Sequence, residues 1–203
     1  SRFRVAVSSS ADYIDIDIVK FDGKIYASHN PYKKTPFLEK FLSFMPIGSS
    51  GIFKPQFKEV ADIAQEQGLS VLLDLKNLNS ESFEQLEEML MDFGLANNCL
   101  FSSKNQDLID YIGNIYGPEK TFISISTNLN LQELLEKGIP NCNISLAKNL
   151  ATEENVHALK KGGFKVIAYT VNSGEDALEV LENGCDGLVS ENVYLLNVFG
   201  KAL

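Results

Sequence analysis

Basic residues are scarce in this 203-residue chain: 18 Lys and Arg stand against 27 Asp and Glu, for a net charge of −9. No cluster of lysine and arginine offsets that excess. The sequence therefore lacks the electrostatic footprint of a nucleic-acid partner or an anionic membrane surface. A small anionic substrate stays open, because one local cation reverses the field inside a cleft. Cysteine is scarce too. Cys99, Cys142 and Cys185 are odd in number, and each sits in or beside an apolar run. That pattern predicts buried free thiols rather than a disulfide framework. No stretch approaches the ~20 apolar residues that span a bilayer, so stable membrane insertion is not expected. No signal peptide is visible; the expectation is a cytoplasmic protein, or a secreted or periplasmic one if an upstream signal was removed. There is no G-x-G-x-x-G motif and no phosphate-binding P-loop, which leaves an open nucleotide-binding sheet without motif support. Repeats, low-complexity tracts and domain linkers are also missing.

What remains is enough for one domain over 1–203. Hydrophobic residues make up 44% of the chain, sufficient for a sizeable core. From residue 55 onward, short apolar runs alternate with amphipathic segments. Strands are predicted at 71–75, 100–102, 121–126, 143–146, 166–171 and 187–190. Helices are predicted at 55–67, 82–92, 106–115, 131–137, 153–161 and 175–182. Pro55 suits a first helical turn. Gly68, Gly94, Gly138, Gly162 and Gly184 each follow a helix, where a left-handed stop is wanted. This βαβα rhythm predicts parallel strands with helical crossovers. With 13–18 as a seventh strand and 3–7 as an eighth, the fold class is α/β, a TIM-type (β/α)8 barrel. Only about five residues separate 3–7 from Tyr13, and a parallel crossover needs roughly a dozen. The first β/α unit is therefore truncated or irregular. An open doubly wound sheet is the alternative. Asp22-Gly23 is a hairpin-turn signal, and about 30–54 reads as a loop insertion carrying a short helix over one end of the barrel.

The stretch "ADYIDIDIVKFDGKIYASHN", residues 11–30, sets the functional question. Along a strand, side chains alternate between faces. Ile14, Ile16 and Ile18 share one face and meet the helices; Tyr13, Asp15 and Asp17 share the other and point into the barrel. Two carboxylates placed there repel each other unless a cation joins them, and oxygen ligands suit Mg²⁺ or Ca²⁺. In "VLLDLKNL", Asp74 and Lys76 interrupt the next apolar strand with the same parity, on a strand adjacent to 13–18 in a barrel. Three strand-borne aspartates then meet at one ion, with Lys76 ready to hold an anion. His29 enters the same mouth as a proton donor or acceptor. His157 lies in "TEENVHALKKGG", on the outer face of an amphipathic helix.

These segments resemble the glycerophosphodiester phosphodiesterase family. "ADYIDIDIVKFDGKIYASHN" is similar to its signature of an acidic-x-Asp strand, a Lys-Asp-Gly-type turn and a His-Asp pair. "LLDLK" resembles its Glu-Ile-Lys strand, and "GFKVIAYTVNSGEDALEVLENGCDGLVSENVYLL" its C-terminal signature. The resemblance covers roughly residues 11–197. It implies a TIM barrel that hydrolyses small phosphodiesters, glycerophosphodiesters or lipid headgroups, with one divalent cation and two histidines. It further implies Asp15, Asp17 and Asp74 as metal ligands and His29 as a catalytic histidine. Lys76 becomes the phosphate-side lysine, and Tyr169 a pocket residue where Trp is usual.

The departures are specific. "FRVAVSSS" has no counterpart of the family's His-Arg-Gly opening or the segment and helix after it. His29 is followed by Asn30 rather than Asp. Two glutamate ligands are shortened to Asp15 and Asp74, drawing each carboxylate back by about 1.5 Å. Ser190-Glu191 replaces Thr-Asp. Two readings follow: a metal-dependent phosphodiesterase, or a family member that binds a phosphorylated polyol or headgroup without turnover. Apolar side chains of the 30–51 loop (Tyr32, Phe37, Phe41, Phe44, Met45) either pack over the mouth or contact a substrate tail.

Overall fold

A computed structural model describes residues 11–29, 55–137, 142–192 and 194–195. The predicted strand at 3–7, the 30–51 loop and Gly138 lie outside the described residues.

The chain enters on β1 (Ile14–Phe21) and turns back through β2 (Lys24–Ala27). Asp22 and Gly23 both take positive φ, 50° and 72°, the requirement of a type I′ turn whose twist matches the flanking strands. Six helix–strand units follow: α1 (Phe57–Gln67) and β3 (Val71–Leu75), α2 (Ser80–Asp92) and β4 (Cys99–Ser103), α3 (Gln106–Tyr116) and β5 (Thr121–Ile125). Then come α4 (Asn128–Lys137) and β6 (Asn143–Ala147), α5 (Glu153–Lys161) and β7 (Val166–Tyr169), α6 (Gly174–Glu182) and β8 (Gly187–Leu188). The strands form one sheet in the order β2-β1-β3-β4-β5-β6-β7-β8. Only the β1–β2 pair is antiparallel.

The periodicity placed every one of these helices and parallel strands, and local chemistry moved some ends. Pro55 does not open α1. Its carbonyl accepts from the Ala27 N–H at 3.1 Å, and Gln56 bridges to Tyr26. The helix starts two residues later, with Gln56 and Glu59 forming a capping box. Asn79, Asn105, Thr152 and Ser173 cap α2, α3, α5 and α6 by accepting from backbone N–H groups of the first turn. After α5 the left-handed position is taken by Gly163 rather than Gly162, whose φ is −76°.

The helices cover one face of the sheet. Ile14, Ile16 and Ile18 pack there with Val71, Leu73, Leu75 and Phe101 against α1, α2 and α3. Ile123, Ile125, Ile144, Leu146, Val166 and Ala168 pack with residues of α4, α5 and α6. Helix α3 joins the halves, giving Leu108 and Ile112 to the first and Ile109 to the second. Cys99, Cys142 and Cys185 are free and buried. Loss of solvent pushes their thiols up, to about 12 for Cys99 and about 11 for the other two, so all three stay protonated and inert.

The other face is concave. Residues of every parallel strand, or of the turn that follows it, line a single cavity of about 970 Å³. Strands lie ~4.8 Å apart, so β1 and β8 would be separated by roughly 29 Å in a flat sheet. Sharing one cavity requires the sheet to curl. Among the described residues β1 and β8 do not pair, so the curl stops short of a closed ring.

Candidate active site

Strand parity selects which side chains enter this concavity, and β-pairing decides which of them meet. Asp17 of β1 is in register with Asp74 of β3, and Asp15 with Leu72. Leu72 lines the cavity and is buried. Around it the face is polar: Asp15, Asp17, Asp74 and Lys76 on one wall, Ser102, Ser124 and Ser145 on the next. The Lys76 N–H donates to the Ile18 carbonyl at 3.0 Å, anchoring the lysine backbone to β1. Its ammonium reaches Asp17 Oδ1 at 2.9 Å and also bonds Asp74 Oδ2. It therefore clamps the two registered carboxylates.

His29 arrives by way of the hairpin. The Ser28 N–H donates to the Asp17 carbonyl at 2.7 Å, folding the end of β2 back over β1. His29 Nδ1 then lies 3.2 Å from Asp17 Oδ2. A carboxylate accepts, so this contact favours the tautomer with hydrogen on Nδ1. The imidazole is 71% exposed at the cavity mouth. Asp17 thus holds both the lysine and the histidine.

Charge is crowded on this wall. Water reaches Asp15 through the cavity, yet the concave walls strip bulk solvent from its carboxyl. That desolvation, with the like charges of Asp74 and Asp17, pushes its pKa up to about 7. Asp74 is also raised, mainly by desolvation, against the opposing pull of Lys76. Burial acts to lower Lys76, but its bonds to Asp17 and Asp74 outweigh it and leave the ammonium more firmly protonated than usual. The folded state therefore binds the Asp15 proton more tightly than the unfolded chain, whose carboxyl titrates near 3.8. Its contribution to stability is complete below that value and is lost as pH rises toward 7. Thermal melts in metal-free buffer should show Asp15→Asn losing less stability than wild type between pH 4.5 and 7.5. Parallel profiles would mean that Asp15 is no more crowded than a surface carboxylate.

The six candidate site residues of the sequence line this one cavity: Asp15, Asp17, His29, Asp74, Lys76 and Tyr169. Tyr169 stands across the concavity on β7, its hydroxyl donating to the Ile125 carbonyl at 3.3 Å. Desolvation raises its phenol, and the charge of Asp74 adds to that from four strands away in sheet order. His157 is exposed on α5 and is no part of the cavity. The sequence reading missed Ser102, Lys104, Ser124, Ser126 and Ser145. The available signal was parity: "FSSKN", "FISIS" and "NISLA" put Ser102 and Lys104, Ser124 and Ser126, and Ser145 on the face opposite Phe101, Ile123 and Ile125, and Ile144 and Leu146.

No family model matches the sequence, and no curated protein matches it. Solved structures do match. A protein of Agrobacterium tumefaciens described as a candidate glycerophosphoryl diester phosphodiesterase superposes with TM-score 0.79 at 15% identity, over 98% of this chain and 90% of that one. A glycerophosphodiester phosphodiesterase of Parabacteroides distasonis gives 0.71 at 13%, over 95% and 85%. An Oleispira antarctica phosphodiesterase, solved with its product sn-glycerol-3-phosphate, gives 0.72 at 18%, over 99% and 89%. The chain has the glycerophosphodiester phosphodiesterase fold. It is the fold that the resemblance of residues 11–30, 72–76 and 163–196 implied. Within this phosphodiesterase fold the departures of the sequence stand, since the chain's second histidine lies on an outer helix.

A metal ion belongs to the reading of the acidic wall, and the residues can be tested for it. Among the described residues, no three Asp, Glu, His or Cys side chains converge closely enough to hold one. Asp17 and Asp74 converge on the Lys76 ammonium instead. The donor chemistry nonetheless suits a hard divalent cation: all ligating atoms are carboxylate oxygens. Three carboxylates against one ammonium crowd negative charge on the wall, and desolvation by the concave walls with the like charges of their neighbours raises Asp15 and Asp74.

Proposed function

We propose that this protein is a phosphoric diester hydrolase acting on glycerophosphodiester-like or lipid-headgroup substrates, and that Asp15, Asp17 and Asp74 would draw together to hold one divalent cation, Mg²⁺ or Ca²⁺. The observation that carries the reading is the clamp at the cavity mouth, where one carboxylate, Asp17, joins the only cavity histidine among the described residues to the lysine. The same reading takes the fold to be the eight-stranded barrel expected from the sequence.

A phosphodiester is an anion, and the carboxylate wall alone would repel it. A divalent cation there would supply the positive charge that draws in and polarises the phosphoryl oxygens. Lys76 offers a second cation to the charge that develops during attack. Asp17 orients the His29 ring through Nδ1, leaving Nε2 to move a proton to or from the reacting oxygen. Tyr169 limits the pocket on the far wall. No second histidine among the described residues shares the proton work, so His29 serves attack or departure and water serves the other step.

His29→Ala should lower kcat for bis(4-nitrophenyl) phosphate by about 10²-fold in the presence of Mg²⁺ or Ca²⁺. Unchanged turnover would remove His29 from the mechanism. Tight diester binding with no turnover in wild type, under either cation, would establish the non-catalytic reading that the lost histidine favours.

A further inference from the structure

The wall next to the acidic cluster has a different chemistry. Asp74 of β3 is in register with Ser102 of β4, and just past the ends of these two strands Lys76 and Lys104 line the same cavity. Their circumstances differ. Lys76 is neutralised by two carboxylates. Lys104 has no acidic partner among the described residues; its ammonium donates only to the neutral Ser126 hydroxyl, at 3.1 Å. Beneath it lie Ser102, Ser124 and Ser145, exposed by 3%, 6% and 4%. Ser102 and Ser124 share a hydrogen bond of 2.8 Å. The Ser145 hydroxyl has no hydrogen-bond partner among the described residues, though it lines the cavity and its residue is more than nine-tenths buried. A hydroxyl that lines the cavity and has no partner among the described residues is open to a ligand's oxygen. An uncompensated ammonium in so acidic a chain is likewise placed for an anion.

We propose that the β4–β6 wall is an oxyanion subsite, centred on Lys104 with the Ser126 and Ser145 hydroxyls, for a second negative charge on the substrate's alcohol. The proposal rests on the hydrolase reading for the identity of the bound molecule and names its class: diesters whose alcohol carries a carboxylate or a phosphate. An ammonium and hydroxyl donors together suit either oxyanion. A cationic headgroup would meet Lys104 as a like charge.

The test uses glycerol phosphodiesters whose second alcohol is propanol, 3-hydroxypropanoate or 3-phosphopropanol, matched in chain length and differing in charge. Wild type should favour a charged alcohol over propanol by about tenfold in kcat/KM at low salt, and less at high salt. Preference for the carboxylate or for the phosphate names the source of the oxyanion. Lys104→Gln should bring the ratio close to one, and Ser145→Ala should reduce it by a smaller factor. Thermal melts check that both variants fold. No preference in wild type, or a preference that Lys104→Gln leaves intact, overturns the subsite. If wild type hydrolyses none of the three, the hydrolase reading fails. The same panel read as Kd by calorimetry still decides the subsite: a tenfold difference abolished by Lys104→Gln supports it, and equal affinities overturn it.

Discussion

Lys76→Met should reduce kcat/KM for any phosphodiester substrate by about 10³-fold, the largest loss expected from a single change in this cavity. Two effects combine. Removing a preorganised donor to a developing anionic oxygen costs about 10²–10³-fold by itself. Here the lysine also separates Asp17 from Asp74, which stand in register on adjacent strands. Without the ammonium, both carboxylates face the incoming anion and each other. Asp74, whose proton affinity Lys76 holds down, should then titrate at a still higher pH. Methionine keeps the length and apolar stem of lysine, so packing changes little while the charge goes. Steady-state kinetics with a carboxyl-resolved NMR titration would check both parts. Activity within tenfold of wild type would move phosphoryl binding away from Lys76.

Phe83→Ala should lower stability by about 3–5 kcal/mol, and the melting temperature by roughly 10 °C for a chain of this size. Phe83, on α2, is fully buried. Its ring meets Phe101 edge-on, with centroids 5.4 Å apart and planes at 78°. Tyr111 and Tyr116 meet it at 6.3 and 6.2 Å with planes at 84° and 90°. Truncation removes all three contacts and opens a cavity where α2 and α3 pack on β4. Such edge-to-face pairs add to simple burial. Because β4 carries Ser102 on its other face, the loss reaches the wall of the active-site cavity. Denaturant unfolding monitored by tyrosine fluorescence would measure it. A loss below 1 kcal/mol would show that the two helices close over the space.

How legible this was differs between fold and site. The apolar alternation of "YIDIDI" predicted an isoleucine face against helices and a carboxylate face inward, and both are found. Matching parity in "LLDLK" placed Asp74 and Lys76 beside Asp17. Pro55 misled because its value as a helix starter is a local preference, while the end of β2 claimed its carbonyl through a tertiary hydrogen bond. The serine wall escaped notice because a buried serine in a strand has no distinctive local pattern. Its meaning comes from its neighbours on other strands.

The sequence alone determined the order of strands and helices and the alternation of faces in the first two parallel strands, since both follow from periods of 2 and 3.6 along the chain. Tertiary structure decided that Lys76 bridges two aspartates, that His29 folds back onto Asp17, and that Lys104 lines the same cavity with no acidic partner among the described residues. Those arrangements depend on pairing between segments distant in the chain and on the curl of the sheet, which local periodicity does not encode.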